Sequence, residues 1–252
     1  MKIAFPTDEH YPFQDERARS IALDIVRDFN PDVLISGSDG IDFYALSKFS
    51  KDPKRISSLQ EDIDAWKVGQ KEWKDAAPEA TRIFLKGNHE DRLRKWLWAH
   101  PEAHSLDALK LSNLLGLDEL GINYQDNGDS EWCNWELPIG NTLVVRHGEL
   151  VRKGSGMSAR AELDKERFSI SVLTGHTHRG GSIFARTRLG VVQGHECFCL
   201  CGLEPEYVRH PDWQQGIVLA EVHEGSLTVE PIPFSNLRSI KHAIWRGKEY
   251  RS

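Results

Sequence analysis

No stretch of this 252-residue chain is apolar for long enough to cross a bilayer, and the run from Met1 to Pro6 is too short for a secretory leader. The cytoplasm is the expected compartment. Cysteine is scarce, at four residues, so a disulfide framework is not what holds the fold together. Low-complexity tracts and sustained repeats are missing too, which excludes disordered and solenoid classes. Nor is there an excess of positive charge. The 32 Lys and Arg against 38 Asp and Glu leave a net charge of −6, so a generally basic nucleic-acid footprint is excluded. What remains, 39% apolar and 28% charged residues, suits one globular α/β domain of enzyme type.

Five short clusters of metal-ligating residue types follow one another along the chain. They are Asp8-Glu9-His10, Asp39-Gly40-Ile41-Asp42, Gly87-Asn88-His89-Glu90, His147-Gly148 and Gly175-His176-Thr177-His178. Each comes after a short apolar run of strand character: Lys2 to Pro6, Val33 to Ser36, Arg82 to Leu85, Leu143 to Val145 and Ser169 to Leu173. Carboxylate, imidazole and amide donors are thus expected on loops at strand ends, where open α/β sheets place ligands. Asp8 and His10, one residue apart in an extended segment, are expected to face one side and grip one cation; His176 and His178 repeat the spacing.

Between the clusters, apolar residues from Ala18 to Phe29 at three- and four-residue spacing predict a helix over 15–29, stopped by Asn30-Pro31. Residues 43–80 and 91–116 read as helical insertions leaving cation-bearing loops. Ser57-Ser58 is the expected cap of a helix reaching about Ala77, with Trp66 and Trp73 packing on one face. From about Asn123 short strands and turns take over, and Glu224-Gly225 marks a hairpin. Cys197, Cys199 and Cys201 alternate and are expected as buried thiols on one face of a strand, since thiolate zinc sites use pairs two to four residues apart with further ligands. Residues 236–252, with Arg238, Lys241, Trp245, Arg246, Lys248 and Arg251, form a basic tail, docked or disordered.

The order and spelling of the clusters resemble the calcineurin-like metallophosphoesterase superfamily over about residues 1–235: Asp-x-His, Gly-Asp-x-x-Asp, Gly-Asn-His-Glu/Asp, a lone His and Gly-His-x-His. One position departs, since Ser38 stands where that pattern has glycine. The stretch Trp213-Gln214-Gln215-Gly216 is similar to compact stand-alone versions in bacteriophages. The resemblance implies a two-sheet αββα sandwich and two divalent cations, manganese first, with iron, zinc or nickel compatible. It implies that Asp8, His10, Asp39 and His178 hold one ion and Asp39, Asn88, His147 and His176 the other, Asp39 bridging. It also implies a phosphoric ester hydrolase whose nucleophile is a hydroxide shared by the ions.

His89 is the expected general acid, with Asp42 as its counterpart or as a helix cap. Glu90 and Asp91 are expected to cap the next helix. Arg92, Arg146 and above all Arg179 are candidates for phosphate contacts. Arg152-Lys153 reads as a solvated loop. Asp42 is followed by Phe43-Tyr44 rather than by the Arg-Gly of protein phosphatases. The Trp-rich insertions favour a phosphodiesterase or nuclease acting on nucleotides or nucleic acid; two bound cations would offset four of the six negative charges, so net charge permits that substrate. A phosphomonoesterase and an inactive metal-binding scaffold are the alternatives. Oligomeric state is not legible, and no membrane partner is expected.

Overall fold

The computed structural model describes residues 1–124, 130–188, 190–205, 208–237 and 240–252. β1 (Lys2–Phe5), β2 (Val33–Gly37) and β3 (Thr81–Leu85) run parallel, and β9 (Gly216–His223) and β10 (Ser226–Pro233) extend their sheet antiparallel, in the order β10-β9-β1-β2-β3. A second sheet, ordered β4-β5-β6-β8-β7, is built from β4 (Glu136–Ile139), β5 (Leu143–Arg146), β6 (Ser171–Thr174), β7 (Gly180–Thr187) and β8 (Gly190–Cys197). Its central strands β5, β6 and β8 are parallel.

Strand alternation sorts the core into layers. Ile3, Phe5, Ile35, Val145, Leu173 and Val218 meet between the sheets, whereas Ala4, Leu34, Ile217 and Leu219 face outward onto α1 (Glu16–Phe29) and the end of α2 (Leu59–Ala76). On the other side Val144 and Val172 pack with Leu163 of α6 (Met157–Lys165). The result is the αββα sandwich. No helix among the described residues is long and apolar enough to cross a membrane.

Both insertions are helical. Asp15 caps α1 through the N–H groups of Arg17 and Ala18, and Ser58 with Glu61 forms a capping box on α2. Trp66 and Trp73 are fully buried. An indole removes about 200 Å² from water, of order 5 kcal/mol. A net hydrogen bond contributes only about 1 kcal/mol, so burial anchors α2, and the bond from Trp73 Nε1 serves its acceptor, Glu9. The second insertion breaks into α3 (Asp91–Ala99), α4 (Pro101–His104) and α5 (Leu111–Leu115), ending at Gly116 in the left-handed region. Glu224 and Gly225, both at positive φ, join β9 to β10 as expected of a tight hairpin.

One expectation gives way. Strand β8 stops at Cys197, because Phe198 turns the chain at φ 65°, so Cys199 and Cys201 lie beyond the strand although all three thiols are buried. Of the two alternatives for the carboxyl-terminal residues, the docked one holds among those described. β11 (Ser235–Leu237), β12 (Ile240–Trp245) and β13 (Lys248–Arg251) make a small antiparallel sheet that seats Ala243, Trp245 and Tyr250 against α1, with Trp245 5.9 Å from the Phe29 ring. Arg238 lies outside the described residues.

Buried Lys241 ties this sheet to the start of α1: its Nζ donates to Asp15 Oδ2 at 2.6 Å, and it also contacts Gln215. Burial raises the Asp15 pKa, but Lys241, the Ala18 N–H and Gln215 outweigh it and hold the carboxyl below its usual value. Asp15→Ala should therefore cost about 2–4 kcal/mol in urea unfolding at pH 7, from the lost cap and the stranded lysine. A depressed folded pKa stabilises above the ordinary carboxylate value near 4 and ceases to do so as pH falls through the folded value. The stability gap between wild type and variant should narrow between pH 5 and pH 2.5; a constant gap would contradict this linkage.

Candidate metal centre

The five clusters converge where the carboxyl ends of β1, β2 and β3 meet those of β5 and β6. They are not extended there. Asp8, His10, Ser38, Asp39, His176 and His178 all have φ between 54° and 69°, at about 1 kcal/mol or more each, so the shared face expected of an extended Asp-x-His is replaced by a turn at each donor. Backbone bonds between the loops offset the strain: Asp8 N–H to the Ser38 carbonyl, His10 N–H to Asp39, Tyr11 N–H to Gly40 and Gln214 N–H to His178, at 2.7–3.0 Å. Glycine is required where these loops touch the carboxylates. A Cβ on Gly87 would sit 2.2 Å from Asp39 Oδ1, and one on Gly175 2.5 Å from Asp8 Oδ2.

Two groups of donors share one atom, Asp39 Oδ2. In the first, His10 Nε2 is 3.0 Å from His178 Nε2, His178 Nε2 is 3.2 Å from Asp8 Oδ1, and His10 Nε2 is 4.0 Å from Asp39 Oδ2. In the second, His147 Nε2 is 2.9 Å from Asn88 Oδ1, 3.1 Å from His176 Nδ1 and 3.2 Å from Asp39 Oδ2. Neighbouring donors about 2.1 Å from one cation lie roughly 3.0–3.4 Å apart, and opposite ones about 4.2 Å. These separations fit, and such groups of His and Asp could each hold a divalent ion.

Protonation divides the four rings. Burial, reinforced by His89, pushes His10 down to about 4, and burial, reinforced by His147, does the same to His176, so both are neutral lone-pair donors. Burial also lowers His147 and His178, but Asp39 overrides it at the first and Cys201 with Asp8 at the second, raising both. Burial opposes ionisation of Asp39, yet His147 and His89 hold it well below the usual range. Cys201 Sγ stands 3.7 Å from His178 Nδ1, on the far side of the ring from the Nε2 that faces Asp8, and burial drives its thiol pKa up; His10, His178 and Cys201 also lie close enough to hold an ion.

Around this set, Asp42 caps no helix. The short turn Tyr44–Leu46 is capped by Phe43 without any side-chain bond, and the Asp42 carboxylate instead lies 3.0 Å from His10 Nδ1, 3.1 Å from His89 Nδ1 and 2.8 Å from Arg92. Burial raises its pKa but His89 and His10 bring it well below normal, so it orients both rings as an anion. Arg92 also reaches His89 Nε2 at 3.2 Å.

Arg146 and Arg179, expected at phosphate, are buried in ion pairs. Arg146 meets Glu136, Glu162 and Glu166; Arg179 meets Glu196 at 3.2 Å, the Arg152 carbonyl at 2.7 Å and Asp212 at 3.5 Å. Glu196 also accepts from Thr177 Oγ1, so Arg179 braces the loop that carries His176 and His178.

Glu90, expected as a helix cap, acts elsewhere. Its buried carboxylate caps no helix and accepts the backbone N–H groups of Asp39, Gly40, Ile41 and Gly87, clamping the loop of the shared aspartate. Burial raises its pKa to about 7, with Asp39 adding to the rise. Trp132 and Trp213 were passed over as site residues; they flank the donors, 5.4 Å from the His147 ring and 4.1 Å from the His178 ring.

The chain is 25% identical to the Gene 54 protein of Mycobacterium phage D29 over 186 residues, 71% of this chain and 70% of that protein. It is 23% identical to the Gene 54 protein of Mycobacterium phage L5 over 256 residues, 97% of this chain and 98% of that one. No protein-family model matches. Among solved structures, zinc-complexed Vps29 from Entamoeba histolytica overlaps all of this chain and 97% of its own at 13% identity with a TM-score of 0.45. A single-residue variant of that Vps29 gives 15% identity and a TM-score of 0.44. Those likenesses are too slight to inform the site.

Ser38, the departure from glycine, is now explicable: its Oγ lies 2.8 Å from His147 Nδ1 and 2.9 Å from Thr7 Oγ1, fixing the ring whose Nε2 joins the second donor group. Ser38→Gly should therefore separate two effects. Relief of a positive φ leaves thermal stability equal or higher, while loss of the ring's partner weakens Mn²⁺ binding at one site by about tenfold. Calorimetric titration with unchanged affinity for both ions would show that Ser38 does not orient His147.

Proposed function

We propose that this protein is a phosphoesterase of the calcineurin-like metallophosphoesterase type that uses two divalent cations, manganese first, to cleave phosphodiester bonds of nucleotides or nucleic acid. The observation that carries the reading is the single carboxylate, Asp39, standing at the common corner of two donor groups that otherwise share nothing. Asp8, His10 and His178 complete one set, and Asn88, His147 and His176 the other. Bound there, divalent ions would supply Lewis acidity, lowering the pKa of water and polarising a phosphoryl oxygen.

The chain's own groups do the rest. Asp42 accepts a hydrogen bond from His89 Nδ1, and Nε2, 3.7 Å from Asp39 Oδ2, accepts from Arg92 at 3.2 Å; once protonated and turned from Arg92, that Nε2 would be the atom that delivers a proton to the departing oxygen. Arg92, on both Asp42 and His89, supplies positive charge at that edge. A cleft of about 690 Å³ opens beside Asn88, His89 and Arg92, within the size range of small-molecule sites. That room supports a substrate with a substituent beyond the cleaved bond, which a diester has.

With Mn²⁺, kcat/KM for bis-p-nitrophenyl phosphate should exceed that for p-nitrophenyl phosphate. His89→Ala should keep its cation content while losing about 10² to 10⁴ in turnover of an alkyl-leaving-group ester, less with a leaving group of low pKa. Exclusive cleavage of the monoester would transfer the reading to a phosphomonoesterase, and absence of any ester cleavage by the loaded protein would leave a metal-binding scaffold.

A further inference from the structure

The segment that carries Asp8 and His10 is pinned from two sides. Toward the centre, backbone bonds to Ser38, Asp39 and Leu200 hold the two donors. Behind them stands Glu9, 2% exposed and a member of no donor group among the described residues. Its Oε1 accepts from Arg19 Nε at 3.0 Å, Trp73 Nε1 at 3.1 Å and the Tyr11 hydroxyl at 3.3 Å, and its Oε2 accepts from Trp73 Nε1 at 3.2 Å. Arg19 belongs to α1 and Trp73 to α2, so one carboxylate gathers both helices behind the turn.

Arg19 extends the tie. It donates to the Gly69 carbonyl at 3.1 Å and to Glu72, both in α2, and its guanidinium carbon lies 5.4 Å from the Tyr11 ring centre and 5.6 Å from that of Trp73. Gly69 shows that the helix is fitted to the turn. Inside a helix glycine costs about 1 kcal/mol against alanine, yet a Cβ here would lie 1.9 Å from the Tyr11 hydroxyl oxygen. Tyr11 is itself 2% exposed, so its ring has no open space to swing into. Asp8 and His10, both at φ 54°, each carry about 1 kcal/mol or more of strain. A hydrogen bond to a charged group contributes about 1.5–3 kcal/mol, so the bonds to Glu9 are large enough to hold the turn in the shape that aims both donors at one ion.

We propose that Glu9 is a positioning residue for the first cation group, tying Asp8 and His10 to the helix of the first insertion. The proposal rests on the two-cation reading and gives the insertion a part in it. Glu9→Gln removes the charge at nearly constant shape; Gly69→Ala leaves Glu9 in place and displaces its partner Tyr11. In calorimetric titration of the full chain, each should raise the Mn²⁺ Kd of one ion by about tenfold and that of the other by less than about threefold. A double-mutant cycle identifies the ion. Glu9→Gln should add less than about threefold in His10→Ala, which already lacks a donor of the first group, and keep its full effect in His176→Ala. Tyr250→Ala, in the carboxyl-terminal sheet, controls for lost stability alone: it should lower the urea midpoint and leave both Kd values unchanged. Should Glu9→Gln fail to fold, Gly69→Ala decides. If wild type binds two ions and the variants keep both Kd values within about twofold, Glu9 does not position the donors. Equal weakening of both ions, or the same shift in Tyr250→Ala, would reduce Glu9 to a general support of the fold and overturn the proposal. If wild type binds no Mn²⁺, the two-cation reading falls and takes this one with it.

Discussion

One buried carboxylate organises this structure. Asp39 accepts the His89 N–H through Oδ1 at 2.7 Å and presents Oδ2 to imidazoles from both halves of the molecule. An unpaired carboxylate so deep would be too costly to keep ionised, and here the surrounding histidines hold its pKa down. Two cations in place of imidazole protons would meet that need more strongly, because each brings two charges to the same oxygens.

Everything nearby maintains that arrangement. Glu90 holds the loop of Asp39 by its backbone, Glu196 and Arg179 hold the loop of His176 and His178, and Asp42 and Ser38 fix ring orientations. The left-handed turns at the donors carry strain that no isolated loop would sustain. They persist because the two sheets bring the loops together and let them hydrogen-bond to one another. Fold and centre thus depend on each other.

The parts legible in the sequence were those set by local chemistry. Asp15 and Ser58 announced helix starts because a cap needs only the next three residues, and Trp66 and Trp73 announced a buried face by their spacing. The αββα order was implied by the family resemblance that the donor clusters carry. What was hidden is long-range. Adjacency to His178 suggested a phosphate role for Arg179, but its partner Glu196 is 17 residues on and on another strand. Glu90 reads as a helix cap until the loop 50 residues before it folds over its carboxylate. The carboxyl-terminal sheet was obscured in the same way, since Lys241 finds its acceptor 226 residues upstream.

The shared carboxylate can be tested without any substrate. Electron paramagnetic resonance of the Mn²⁺-titrated protein reads whether two ions lie close enough to couple through a common ligand. Two Mn²⁺ per chain with a spin-coupled signal in wild type, replaced in Asp39→Asn by weaker binding and an uncoupled signal, is the predicted result. Saturation at one ion per chain, unchanged by Asp39→Asn, would contradict a two-cation centre joined through Asp39.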